Sequence, residues 1–213
     1  MSDRIWFCDL PRDTYALIGF VPGRAADPDM EDAQREALKR YKAAFRCDMA
    51  GEVVAPEDVP HMMYYGQPGE YTDPLPPAFF NGFVFLRDDA ADIFRAHDLG
   101  DAALFPVDLF QNDRTTPVLP KVHALNRANR KATLNAADYG LRRMVPGQEL
   151  FNLPRDMPKR HKDFTAPRAI LDGPDLWVDP TIVQTMFLSD RLAQALISAE
   201  IDKEFSLYPC AVA

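Results

Sequence analysis

The sequence predicts an α+β fold in which short helices lie against a mixed or mainly antiparallel sheet. Three observations predict it. Proline makes up 19 of 213 residues and gathers in connecting segments (Pro56, Pro60 and Pro68, then Pro74, Pro76 and Pro77, then Pro117 and Pro120), which breaks up long helices. One long amphipathic pattern stands early in the chain. A strand–helix–strand grammar then occurs twice, at an offset of 102 residues.

In chain order, residues 5–8 and 14–21 are rich in aromatic and β-branched side chains and end at Asp9-Leu10-Pro11 and Pro22-Gly23, which marks them as strands. Residues 30–49 place Ala33, Ala37, Leu38, Tyr41, Ala44 and Phe45 on one stripe at helical spacing. Asp27 and Asp29 precede this stripe, Glu31 and Asp32 open it, and Lys39, Arg40, Lys42 and Arg46 follow, the order that complements a helix dipole. Residues 61–65 are a weaker strand candidate. At the offset, Phe85, Leu86, Asp88 and Ala91 fall on Phe187, Leu188, Asp190 and Ala193. Each copy reads as an apolar strand, a polar cap (Asp88, then Ser189 or Asp190), a helix of about three turns, and a returning strand. The inward stripes are Ala90, Ile93, Phe94 and His97 in the first helix, and Leu192, Ala195, Leu196 and Ala199 in the second. The match reads either as an internal duplication or as common grammar recurring. Residues 118–125, 168–171 and 175–179 complete the expected strands, with Trp177 and Trp6 as apolar anchors. The organisation expected is an N-terminal part, 1–79, that belongs to the same fold as residues 80–213.

Charge is unevenly distributed. The net charge is −8, with −10 in residues 1–118, +7 in 119–168 and −5 in 169–213. An acidic chain repels phosphate backbones, so nucleic acid is not an expected partner. Arg155, Lys159, Arg160 and Lys162 are the candidate anion-binding residues, on what reads as an exposed proline-punctuated loop. Asp27, Asp29, Glu31 and Asp32 at the helix start, and Tyr64 and Tyr65 beside Met62 and Met63, are the candidate partner-binding residues. The longest apolar run is far too short for a bilayer and the three cysteines are scattered, so no membrane, no disulfide framework and a cytoplasmic location are expected. Dinucleotide, P-loop and nucleophile-elbow motifs are absent from the sequence, and the four histidines lack metal-ligand spacing. No cofactor, metal or catalytic residue is assigned. Asp172, Asp175 and Asp179 read as an aspartate-rich turn.

The stretch Asp175-Leu-Trp-Val-Asp-Pro, then Met186-Phe-Leu-Ser-Asp-Arg-Leu-Ala-Gln-Ala-Leu, then Glu204-Phe-Ser-Leu-Tyr-Pro-Cys210 resembles the end of a bacterial family once listed as a domain of unknown function. That family is grouped as immunity family eleven of polymorphic-toxin systems. Leu104-Phe-Pro-Val-Asp-Leu-Phe-Gln resembles its middle, and Asp202-Lys203 stand where the family carries a glycine. The resemblance spans about residues 80–210. It implies a cytoplasmic protein that binds a cognate toxin and blocks it without catalysis. An acidic binder steered toward a basic toxin is compatible with the composition. An enzyme of unassigned class holding an anionic small molecule, or an interaction module of a secretion-linked complex, is the alternative expectation.

Overall fold

The computed structural model describes residues 4–13, 16–22 and 32–213. Its elements, in chain order, are β1 (Arg4–Cys8), β2 (Phe20–Val21), α1 (Asp32–Met49), β3 (Met62–Tyr65), β4 (Ala78–Asn81), β5 (Phe83–Arg87), α2 (Asp88–Arg95), β6 (Ala103–Phe110) and β7 (Pro117–Asn126). There follow β8 (Arg142–Arg143), β9 (Phe151–Asn152), α3 (Met157–Arg160), β10 (Thr165–Ala166), β11 (Leu176–Trp177), β12 (Met186–Ser189), α4 (Asp190–Ser198), α5 (Asp202–Phe205) and β13 (Leu207–Val212). The class is α+β, as expected from the sequence.

Two main sheets carry the fold. One has six strands in the order β2-β3-β6-β7-β5-β4, the other five in the order β10-β13-β1-β12-β11. Five neighbours in each follow the same plan. In the first, β3 runs parallel to β6, and β6, β7, β5 and β4 alternate in direction. In the second, β10 runs parallel to β13, and β13, β1, β12 and β11 alternate in the same way. α2 joins β5 to β6 as α4, with α5, joins β12 to β13. The offset match therefore corresponds to a real structural repeat, with one difference: the central strand of the second copy, β1, comes from the other end of the chain. For this reason residues 1–79 are not a separable unit, and a boundary at 79 falls inside β4.

The pleat sorts side chains into three apolar layers. Trp6 and Cys8 of β1, Val84 and Leu86 of β5, and Met186 and Leu188 of β12 point into a central core with Ala90, Ala91 and Phe94 of α2 and Leu192, Ala193 and Leu196 of α4. Their alternate neighbours face outward. Phe83 and Phe85 join Phe79, Val122 and Ala44 of α1 in a layer outside the six-stranded sheet. Ile5, Phe7 and Phe187 join Trp177, Phe164 and Met157 outside the five-stranded sheet. Phe94 stacks on Phe205 at 5.8 Å across the central layer, and Trp177 on Phe187 at 6.0 Å in the outer one. Truncating such a buried ring to alanine costs about 3 to 5 kcal/mol.

Several expectations change. Residues 168–171 form a 3-10 turn, and the short strand β10 precedes them. Of residues 14–21, only Phe20 and Val21 are strand; Thr14 and Tyr15 lie outside the described residues. Ala91 and Ala193 replace Ile93, His97, Ala195 and Ala199 as the fully buried partners on α2 and α4, and Ala37 of α1 is exposed. Asp88 does not cap α2. The cap position is Arg87, with no side-chain hydrogen bond, and Asp88 Oδ1 instead accepts from His123 Nε2 at 2.7 Å. In α4 the Ser189 hydroxyl does accept from the Leu192 amide.

Candidate functional site

The side chain of Tyr64 turns toward α1, and strand geometry is the reason. In β3 successive residues face opposite sides, so Met63 is buried in the outer core while Met62 and Tyr64 share the other face. α1 runs alongside and offers Leu38 and Tyr41 from its inward stripe. Between the two elements lies a groove of about 260 Å³, also lined by Arg40, Glu57, Asp58, Val59, His61 and Arg114. Its floor is apolar. Its rim holds Glu57 and Asp58, with Asp58 4.0 Å from the Arg40 guanidinium. Met62 is 51% exposed.

The candidate residues divide accordingly. Tyr64 is largely buried, with the Arg114 guanidinium 4.5 Å above its ring. Tyr65 points the other way and packs against Phe20 at 5.7 Å and Tyr71 at 5.5 Å. The two tyrosines are thus not one exposed patch; alternation separates them. Asp32 is exposed at the first residue of α1, while Asp27, Asp29 and Glu31 lie outside the described residues. Tyr41 donates from its hydroxyl to the Asn81 carbonyl, and burial drives its pKa well above the usual tyrosine value. A Cβ on Gly82 (φ +82°) would collide with that hydroxyl, so the turn between β4 and β5 requires glycine.

The basic segment is ordered as a helix and not as an extended loop. Met157 is buried, and α3 runs into a 3-10 turn over His161–Asp163. Arg155, Lys159 and Lys162 are exposed and Arg160 is half-buried; Arg155 and Arg160 line a cleft. Arg160 pairs with Asp163 at 3.1 Å.

The aspartates near Trp177 act inside the fold. Asp175 is buried and accepts from the Asp98 amide at 2.9 Å, and also from the Ser189 hydroxyl and Arg191 Nε. Burial pushes its carboxyl up, yet these donors together hold it below the ordinary carboxylate range. Asp179, also buried, accepts from the amides of Thr133, Leu134 and Thr181 at 2.7 to 3.1 Å. Such satisfied carboxylates fix loops. Asp172 offers its carbonyl to the Lys131 ammonium, which sits 4.0 Å over the Trp177 ring.

Sequence reasoning missed one buried ion pair. Arg127 reaches Asp48 through Nε at 3.0 Å and Nη2 at 2.5 Å, both residues essentially without exposure. The signal was available: Asp48 falls on the inward stripe of α1, four residues after Ala44, where an acid needs a partner.

Among the described residues no group of three or more histidine, cysteine, aspartate or glutamate side chains is placed to hold a metal ion, and no helix is long and apolar enough to cross a membrane. Cys8, Cys47 and Cys210 are free thiols. Comparison with protein-family models, with curated proteins and with solved structures gives no match.

Proposed function

We propose that this protein is an immunity factor: it binds a cognate bacterial toxin and neutralises it, meeting a basic surface of the toxin at the groove between α1 and β3. The observation that carries this reading is convergence. Two elements singled out independently line the same groove, α1 through Leu38 and Tyr41 and β3 through Met62 and Tyr64, while Asp32 at the head of α1 and Tyr65 are not in its lining. An apolar floor with an exposed methionine suits a partner that brings an aliphatic or aromatic anchor; around it Glu57 and Asp58 are balanced by Arg40 and Arg114, so the attraction for a basic partner comes from the charge of the whole chain. The net charge of −8 would steer such a partner inward over distances of about a Debye length. The resemblance supports the same reading; its three C-terminal stretches supply β11, β12–α4 and β13 of one sheet, with β11 beside β12 and β1 between β12 and β13.

The test is growth rescue. The genes flanking its own are screened for a product that is toxic when expressed alone; co-expression with such a product should restore growth and give a co-purifying complex. Met62→Asp combined with Glu57→Lys should weaken that complex at least tenfold while leaving the thermal midpoint within a few degrees, since both side chains are exposed. Undiminished toxicity with no complex would remove the immunity reading, and an unaffected complex in the double variant would move the contact off the groove.

A further inference from the structure

Four arginines from four separate segments meet at one cleft, away from the groove. Arg12 ends the 3-10 turn that follows β1, Arg142 lies in β8, Arg155 follows β9, and Arg160 closes α3. The cleft measures about 760 Å³, and its lining includes Asn152 and Gln184 but a single carboxylate, Asp9. β8 and β9 pair with Arg142 opposite Asn152, so the hairpin arm and the chain leaving it bring Arg142 and Arg155 to the same opening.

The four are not equally engaged. Arg12 is fixed: its Nη2 donates to the Pro154 carbonyl at 2.9 Å and its Nη1 lies 3.3 Å from Asp9 Oδ1. Arg160 leans on Asp163 through Nε. The side chains of Arg142 and Arg155 have neither ion pair nor hydrogen bond with any described residue, although both line the cleft. Gathering guanidinium groups around a shared space is unfavourable until an anion enters it. Burial also pushes the Asp9 carboxyl up, against the pull of Arg12.

We infer that this cleft is a binding site for a small molecule carrying a diphosphate, such as a nucleoside diphosphate. The guanidinium fork matches phosphate oxygens two at a time. Two free arginines, with Arg12 and Arg160 behind them, call for a ligand with at least two negative charges. The volume falls in the usual range for small-molecule sites and far exceeds one phosphate group, leaving room for the group the diphosphate is attached to. Leu141, Leu153 and Pro154 give that group apolar walls. The inference stands apart from the toxin-binding proposal, since the cleft and the groove share no lining residue.

Calorimetric titration of the full chain with inorganic pyrophosphate and with ADP tests it, with orthophosphate and citrate as comparison anions. The expected result is saturable one-to-one binding of pyrophosphate and ADP, at least tenfold tighter than orthophosphate or citrate, weakening as salt is raised. Arg142→Ala with Arg155→Ala should reduce it at least tenfold, and Lys159→Ala with Lys162→Ala should leave it unchanged. Should the alanine pair fail to fold, Arg142→Lys with Arg155→Lys keeps the charge, loses the fork, and should still weaken binding several-fold. Absence of saturable binding by both probes, citrate binding as tight as pyrophosphate, or binding indifferent to the arginine changes would overturn the inference.

Discussion

Asp48 and Arg127 form a fully buried ion pair that is costly to break. The carboxylate accepts from the Arg127 backbone amide at 2.7 Å and from Asn126 Nδ2 at 3.2 Å as well as from the guanidinium, and Asn126 Oδ1 in turn accepts from the Val54 amide. Removing one partner leaves a buried charge alone, so Asp48→Ala should lower unfolding free energy by about 3 to 5 kcal/mol in urea titration. Replacing both partners with apolar residues of similar volume should cost much less. The cysteines differ in the same physical way. Burial pushes the Cys8 and Cys210 thiols up to about 12, so neither is a thiolate near neutral pH. Cys47 is half-buried and also raised, first by burial and then by nearby carboxylates. Maleimide labelling at pH 8 should therefore modify Cys47 slowly in the native protein, and Cys8 and Cys210 only after denaturation. Asp175 adds an acid dependence. Its folded-state pKa is depressed, so its contribution is complete above the ordinary carboxylate range, about pH 4, and is lost as the pH falls through the lower folded value. A stability profile of Asp175→Asn should lie below the parent at pH 7 and converge toward it in acid.

Elements whose own sequence carried both period and punctuation were legible before the fold was known. α1 shows apolar spacing and charge order together, and the observed helix spans Asp32–Met49. β5 with α2 and β12 with α4 were legible because an apolar strand ran straight into a helical period at a defined residue. What could not be read was settled by tertiary packing. The tetrapeptide Arg168–Leu171 looks β-prone, but Ile170 alone enters the core and the turn closes around it. The cap of α2 was misread because Asp88 found a stronger partner in His123, 35 residues away. The cap of α4 was legible, and its energy is measurable: Ser189→Ala should cost about 1 kcal/mol for the lost cap, somewhat more because the same hydroxyl donates to Asp175. The basic segment was identified by composition alone; that only two of its four cations reach the cleft depends on Met157 being buried and turning Lys159 to solvent.

At the scale of the whole molecule, the repeat explains why the chain cannot be divided near its middle. β1 lies between β13 and β12, with Ile5 opposite both Cys210 and Ser189, and Arg4 opposite Ala211. In the first copy the equivalent strand, β7, simply follows β6. Deleting residues 1–9 should therefore remove the strand that joins β13 to β12, split the five-stranded sheet and abolish cooperative thermal unfolding. A circular permutant that joins residue 213 to residue 4 by a short glycine-containing turn, opened within residues 23–31, should fold, because β1 would then follow β13 as β7 follows β6. The offset match pointed toward this plan, but the swap of chain ends was invisible, since pairing between distant strands leaves no local pattern. The two proposed functional surfaces are separate products of the plan, one against each sheet: a groove beside β3 and an arginine cleft beside β1. The former bears the main functional proposal. Its most direct test is titration of the purified protein against a toxic product of a neighbouring gene, in a series of salt concentrations. The account predicts a stoichiometric complex that weakens steadily with salt and loses at least tenfold in affinity when Met62 and Glu57 are changed together. No binding at low salt, or an affinity insensitive to both salt and those substitutions, would contradict it.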